Sequence, residues 1–303
     1  EVLALLVIVL KNLASRVGII LVLALFLSKV GLFRKLVSKR NINLQDNIFL
    51  SIIFGLIGII GTYTGIHLQG AIVNSRVIGV FVGGLLGGPL VGFLSGIIAG
   101  GHRFLIDIGG FTALACSLST LTEGVMAGLL KRKFENSPYK ISFALISGAF
   151  AEVIQMIIIL LVAKPFPAAV ELVKVIGIPM IVANGIGIAV FMAITDSIFK
   201  EIENEAVYQA QLALKIADRT LAYFRKGFNE DTARDTAHII KIMTNIEAVA
   251  FTDTEQILAH VGIGEDHHLP GSLIKTNLTR EALQSKKYIV ANTKEEIGCD
   301  FHY

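Results

Sequence analysis

Residues 74–131 read NSRVIGVFVGGLLGGPLVGFLSGIIAGGHRFLIDIGGFTALACSLSTLTEGVMAGLLK, and this stretch decides the fold. Two rows of glycine run through it at helical spacing: Gly79, Gly83 and Gly87, then Gly84, Gly88, Gly92, Gly96 and Gly100. A step of four keeps each row on one helix face, where the missing side chains let another backbone approach closely. Pro89 interrupts the run and leaves two pieces of about a dozen residues, each short of the roughly 20 needed to cross a bilayer. An arginine stands at each end of the glycine run, Arg76 and Arg103. Beyond it Thr112, Cys116, Ser119 and Glu123 fall at offsets 0, 4, 7 and 11, one polar stripe on an apolar helix. Polar groups are costly in hydrocarbon, so an intramembrane ionisable residue marks a functional site by default. The stretch reads as a ligand-sensing core, with the rest of the chain as housing and output.

The composition agrees with a membrane protein: 53% hydrophobic and 17% charged residues, with mean hydropathy +0.69. Charge is distributed unevenly, because most Asp and Glu follow Lys200. The chain therefore divides into a membrane domain at 1–198, a signalling helix at 199–226 and an α/β domain at 227–303. A net charge of +3 is too small to argue for nucleic acid. Cys116 and Cys299 form no disulfide or CxxC pattern. The chain starts at Glu1, has no cleavable signal-peptide layout, and reads as a piece of a longer protein.

Six apolar segments are expected, at 2–33, 47–66, the glycine stretch, 109–130, 141–163 and 173–199. Lys11 and Arg16 lie inside the first. Either a tilted helix lets them snorkel, or, the favoured reading, residues 2–10 form an interfacial piece before a span from Val17. The basic loops RKLVSKR (Arg34, Lys35, Lys39, Arg40) and Lys131-Arg132-Lys133 should both be cytoplasmic. Only one net crossing then fits between Arg76 and Lys131, which makes the glycine segment re-entrant; irregular backbone at that depth needs protein or a cavity around it. The expected fold is an α-helical polytopic membrane domain with five crossings, a glycine-rich re-entrant hairpin and an external N-terminus. Six full crossings with an internal N-terminus is the alternative.

After Lys200, Ala206, Ala210, Ala213, Ala217, Thr220 and Phe224 alternate steps of four and three, while Val207, Leu214 and Leu221 fall seven apart. That pattern suits a coiled-coil helix pairing with a second copy, a homodimer, against the alternative of a solvated linker helix. From Gly227 a helix at 231–245 precedes two apolar runs flanking Asp253-Thr254-Glu255-Gln256, read as a hairpin. A helix at 280–286 and a strand at 288–291 follow, and the α/β domain reads as truncated at Tyr303.

The run NSRVIGVFVGGLLGGPLVGFLSGIIAGGHRF with GGFTALACSLSTLTEG resembles the membrane domain of LytS-type sensor histidine kinases. NIEAVAFTDTEQILAHVG and PGSLIKTNLTREAL resemble the GAF domain that follows it there. The resemblance implies a five-span receptor in the bacterial plasma membrane with a cytoplasmic C-terminal region. It also implies a kinase module acting on a LytTR-type response regulator, in murein hydrolase and autolysis control or in sensing of external pyruvate. The binding positions it carries over are Arg76, Arg103, Cys116 and Ser119. The phospho-accepting histidine and ATP-binding boxes are not in these residues, so ATP is expected only at a kinase module beyond them.

Two guanidinium forks suit a small carboxylate; the alternative is that both arginines anchor the interface through lipid phosphates or loop carbonyls. Cys116 lines the site or fills space between helices, and Ser119 and Thr112 face a ligand or back-bond within their own helix. Glu123 is read as a helix-packing residue, as are Gly84, Gly88, Pro89, Gly92, Gly96 and Gly100. Glu152, Gln155, Asn184 and Asp196 are read as interhelical glue, and His67 as a boundary residue. His267 and His268 lack metal-ligand spacing, and no metal, cofactor or catalytic residue is expected here. No HExxH, DxD or nucleophile elbow supports an intramembrane enzyme. The broken, glycine-rich hairpin leaves one rival, a transport or substrate-binding membrane subunit.

Overall fold

Apolar runs of these lengths form helices in the computed structural model, which describes residues 2–37 and 43–297. Lys39 and Arg40 of the first basic loop and Cys299 lie outside the described residues. Two compact units result, one up to Glu201 and one from Ile202.

In the first unit α1 (Val2–Lys29) is unbroken, so the interfacial piece favoured from the sequence is not formed. Arg16 needs no helix break, because its Nη1 donates to the Thr64 carbonyl at 2.6 Å, and Lys11 is exposed with an apolar stem that can lie along the helix. A short α2 (Gly31–Val37) precedes α3 (Leu44–Tyr63), which begins at a capping box between Asn43 and Asp46. A hairpin absent from the sequence reading follows, β1 (Ile66–Leu68) and β2 (Ala71–Val73), paired Ile66 to Val73. Its two-residue turn, Gln69-Gly70, takes positive φ at both positions (48° and 75°), which matches strand twist.

The glycine stretch forms α4 (Arg76–Gly87) and α5 (Pro89–Leu105). Gly88 separates them at φ 94°, which a side chain would oppose, and Pro89 occupies the first turn of α5. At 17 residues α5 is longer than expected from the sequence, reaching about 25 Å. Three long helices complete the unit: α6 (Ala113–Glu135), α7 (Lys140–Val162) and α8 (Phe166–Phe224), the last with 59 residues continuing past the unit boundary. Among the described residues five helices are long and apolar enough to cross a membrane, and α4 and α5 are not among them.

Contacts along α3 show that the two limbs fold back on each other. A Cβ on Gly83 would meet Phe54, one on Gly55 would meet Ile98, and one on Gly58 would meet Val80 and Ala99. Nearer the end of α3, Gly61 abuts Arg76 and the Tyr63 hydroxyl lies 3.2 Å from His102 Nε2. The start of α4 and the end of α5 therefore share one level, and the six-crossing alternative, which needs the glycine segment to pass straight through, does not hold. Against α6, Gly84 faces Ala127, Gly92 the Gly124 carbonyl, Gly96 Leu121 and Gly100 Ser117, while Gly88 lies by Lys131. The longer glycine row is thus a backbone-to-backbone seam with α6.

At the opposite level Arg34 pairs with Glu201 at 3.6 Å, and Lys140 and Lys200 flank Asp196 at 3.8 and 2.8 Å. The basic ends of successive helices thus gather on one face, as the positive-inside rule requires.

In the second unit the α8 residues Ala206, Ala210 and Ala213 are exposed, and Val207, Leu214 and Leu221 are 48%, 71% and 48% exposed. Helix α9 (Glu230–Thr244) starts at a capping box on Asn229. Strands β3 (Ala248–Thr252) and β4 (Ile257–Gly262) pair antiparallel around a turn in which Asp253 Oδ1 accepts from the Glu255 and Gln256 amides at 2.7 and 2.6 Å. Those bonds hold the Asp253 carboxyl below its usual range. Then come α10 (Asn277–Ser285) and α11 (Lys294–Ile297). Residues 288–291 are not a strand: Tyr288 is 93% exposed and Val290 69%, with no neighbouring strand among the described residues to take up their amides.

Candidate functional site

The expected polar stripe of α6 faces inward, where it meets both arginines. Thr112, Cys116, Ser119 and Glu123 are all buried. Arg76, on the first turn of α4, is 1% exposed and Arg103, in the last turn of α5, 0%, so neither reaches lipid phosphates as an interfacial anchor would. Arg76 Nε donates to Thr120 Oγ1 at 2.5 Å and its Nη2 to the Cys116 carbonyl at 3.1 Å. One to two turns along α6, Arg103 Nη2 donates to Thr112 Oγ1 at 3.3 Å and pairs with Asp107 Oδ2 at 2.9 Å. The two guanidinium groups thus line adjacent turns of one helix.

The Cys116 carbonyl is a hub, since Ser119 Oγ and Thr120 Oγ1 also donate to it, at 3.0 and 2.7 Å. Ser119 therefore back-bonds within its own helix, whereas Thr112 is turned to Arg103. The Cys116 thiol is buried beside this hub.

Below the arginines, Asn184 Nδ2 bridges α8 to the Asn74 carbonyl at 3.2 Å and to Glu152 Oε1 of α7 at 2.7 Å. Glu152 and Asn184 are interhelical glue of the expected kind, and Glu123 and Glu152 both lie within electrostatic reach of Arg76. Gln155 is buried on the same helix, Asp196 belongs to the charged face described above, and His67 stands exposed on β1. The glycines and Pro89 form the seams already described, and Gly96 and Gly100 bring α5 against Thr120 of this polar core.

Much hydrogen-bonding capacity at this core is unused. Arg76 Nη1, Arg103 Nε and Nη1, both Glu123 oxygens, Glu152 Oε2, Asn184 Oδ1 and Ser75 Oγ are buried without protein partners. Buried polar groups are normally satisfied, and such a concentration is characteristic of a place that receives water or ligand. Chemically the arrangement can hold an anion.

The sequence reading missed Asn74, Asp107 and Thr120. Thr120 stands four residues past Cys116, so the periodicity that found Thr112 could have found it. Asp107 gave no such signal, because it lies in the irregular connection between α5 and α6. In the second unit His260, His267 and His268 stack with ring centroids 4.8 and 4.4 Å apart. No group suited to a metal ion occurs among the described residues.

Fold and site together define a five-span helical membrane domain whose re-entrant hairpin carries arginines into a polar interior. A family model described as 5TMR of 5TMR-LYT matches residues 30–198, and the chain belongs to that family. The sensor protein LytS of Bacillus subtilis (strain 168) is 41% identical over 304 residues, covering 94% of this chain and 51% of that protein. The sensor histidine kinase BtsS of Escherichia coli (strain K12) is 38% identical over 296 residues, covering 96% of this chain and 52% of that protein. The chain spans about half the length of the curated relatives it matches. No solved structure matches it. The LytS-type resemblance, the helical polytopic fold and the plasma-membrane location are borne out.

Proposed function

We propose that this chain is the sensory and signal-transfer region of a membrane sensor histidine kinase, and that it detects a small external carboxylate such as pyruvate. The observation that carries this reading is the pair of fully buried arginines with three guanidinium nitrogens lacking partners. A carboxylate would supply the missing acceptors and offset charge that is costly in hydrocarbon. Binding switches the receptor only to the extent that two states differ in affinity. Helix α8 is the route from the site to a homodimer seam at 206–224, with the segment from Gly227 acting as a GAF-like relay. Signal would pass to an ATP-using kinase module and a LytTR-type response regulator, in cell-wall or carbon-uptake control. Membrane or envelope state is a second input to the same core, because the hairpin packs by backbone seams that bilayer strain could shift. No residue here is assigned catalysis.

Titration of purified full-length receptor with pyruvate tests the site. A charged hydrogen bond contributes roughly 1.5–3 kcal/mol, so Arg76→Ala and Arg103→Ala should each weaken binding about ten- to a hundredfold. Lys174→Ala, at an exposed residue paired with Glu171, should change little, and Ser119→Ala should cost less than either arginine. Unchanged affinity in both folded arginine variants would refute the carboxylate reading. Uptake of labelled pyruvate into proteoliposomes would favour a transport subunit, the reading that the folded-back hairpin also allows.

A further inference from the structure

Three carboxyl groups already face the two buried arginines. Glu123 and Glu152 lie within reach of Arg76, and Asp107 is in direct contact with Arg103 at 2.9 Å. A carboxylate entering at Arg103 meets Asp107 already in place, so its binding is opposed unless Asp107 withdraws. Glu123 and Glu152 sit mid-helix on α6 and α7, 1% and 0% exposed. Asp107 differs on every count. It lies in the non-helical connection between α5 and α6, and its side chain is 30% exposed. Two glycines follow closely, and Gly109 has φ 80° with nothing near its missing Cβ. Gly110 donates its amide to the Asp107 carbonyl at 2.8 Å, and a Cβ on Gly110 would collide with the Asp107 carboxylate. The side chain thus folds back against glycine onto Arg103, from a loop that can release it.

From this we infer that Asp107 is a tethered stand-in for the ligand, a carboxylate that caps Arg103 in the unliganded receptor and yields its place to an incoming small acid. The inference rests on the carboxylate reading above and adds a residue that sets affinity. Arg103 is held neutralised within the bilayer until ligand arrives, and the exchange returns Asp107 to water with its loop. Since that loop leads directly into Thr112 and α6, capped and uncapped states differ at the start of the helix that lines the site.

The test is Asp107→Asn in the full-length receptor, which keeps size and hydrogen bonding but removes the competing charge, with Asp107→Ser as a second variant. Displacing a partly exposed ion pair costs little compared with a buried one, so pyruvate should bind about five- to tenfold more tightly to both variants. Separately, without pyruvate, modification of Arg103 by phenylglyoxal, followed by peptide mass spectrometry, should be faster in both variants than in the wild type. Unchanged or weaker pyruvate binding with unchanged Arg103 reactivity would make Asp107 a structural partner only and overturn the inference, leaving the carboxylate reading intact if the wild type still binds through its arginines. If the wild type binds no pyruvate, that reading fails, and Arg103 reactivity alone decides: a faster reaction in the variants upholds the cap, an unchanged one rejects it.

Discussion

Gly92→Ala should loosen the hairpin seam. A Cβ at Gly92 would overlap the Gly124 carbonyl oxygen and lie 3.2 Å from Gly84 Cα, so the obstacles are backbone on two different helices. Backbone cannot rotate aside as a side chain can, and α5 must shift off α6 or off α4. Overpacking costs about 1–3 kcal/mol where neighbours can adjust, and the upper end is expected here. In a chain of this size that corresponds to a fall in Tm of roughly 6–12 °C, at about 2–4 °C per kcal/mol. Gly101 is the matched control: it belongs to the same helix, and nothing lies within 4 Å of its missing Cβ. Gly101→Ala should hold or raise Tm, because Ala is the better helix former by roughly 0.5–1 kcal/mol. A thiol-reactive fluorogenic dye reports melting through exposure of buried Cys116, in a Cys299→Ser background. Equal melting of Gly92→Ala and wild type, or equal loss in both variants, would refute the backbone-seam argument.

Topology can be tested by cysteine labelling in a Cys116→Ser, Cys299→Ser background. Gln69→Cys at the hairpin tip and Ile108→Cys should react with an impermeant reagent from outside, and Lys133→Cys only from inside; Ser75, 1% exposed, is unsuited to this test. Labelling of the first two from opposite faces would overturn the re-entrant hairpin. Single cysteines at Ala210 or Ala213 should crosslink between chains in native membranes, and failure there, with efficient crosslinking at exposed control sites elsewhere, would reduce 206–224 to a linker. Burial, then the neighbouring His260 and His267, lower the His268 pKa from 6.5. The unfolded state therefore binds more protons near that pH, and stability should fall as pH drops through about 6.5 and below. Hydrogen exchange at β4 amides, corrected for intrinsic rate, should accelerate over that range, and His268→Asn should flatten the trend. An unchanged trend in the variant would remove His268 as its cause.

What was legible from the sequence follows from short-range physics. Apolar run length set the spans, the spacing of Gly84, Gly88, Gly92, Gly96 and Gly100 set a smooth face, and Pro89 set the break. Charge counts around Arg34 and Lys131 set the two basic loops on one expected side. The α6 stripe was visible because a helix repeats every 3.6 residues, so Thr112, Cys116 and Glu123 had to share a face.

Other features depend on chain segments far apart in sequence. Whether Arg16 would break α1 depended on the Thr64 carbonyl, 48 residues away. Whether residues 288–291 would pair depended on an adjacent strand, since extended backbone needs a neighbour for its hydrogen bonds. The site shows the same division. Sequence alone supplied two arginines and a polar face, but their partners come from the folding back of α4 and α5, which brings Arg76 to Cys116 and Thr120 across 40 and 44 positions. Local periodicity is written in each segment, while the pairing of a buried charge is decided only when packing removes every competing contact with water.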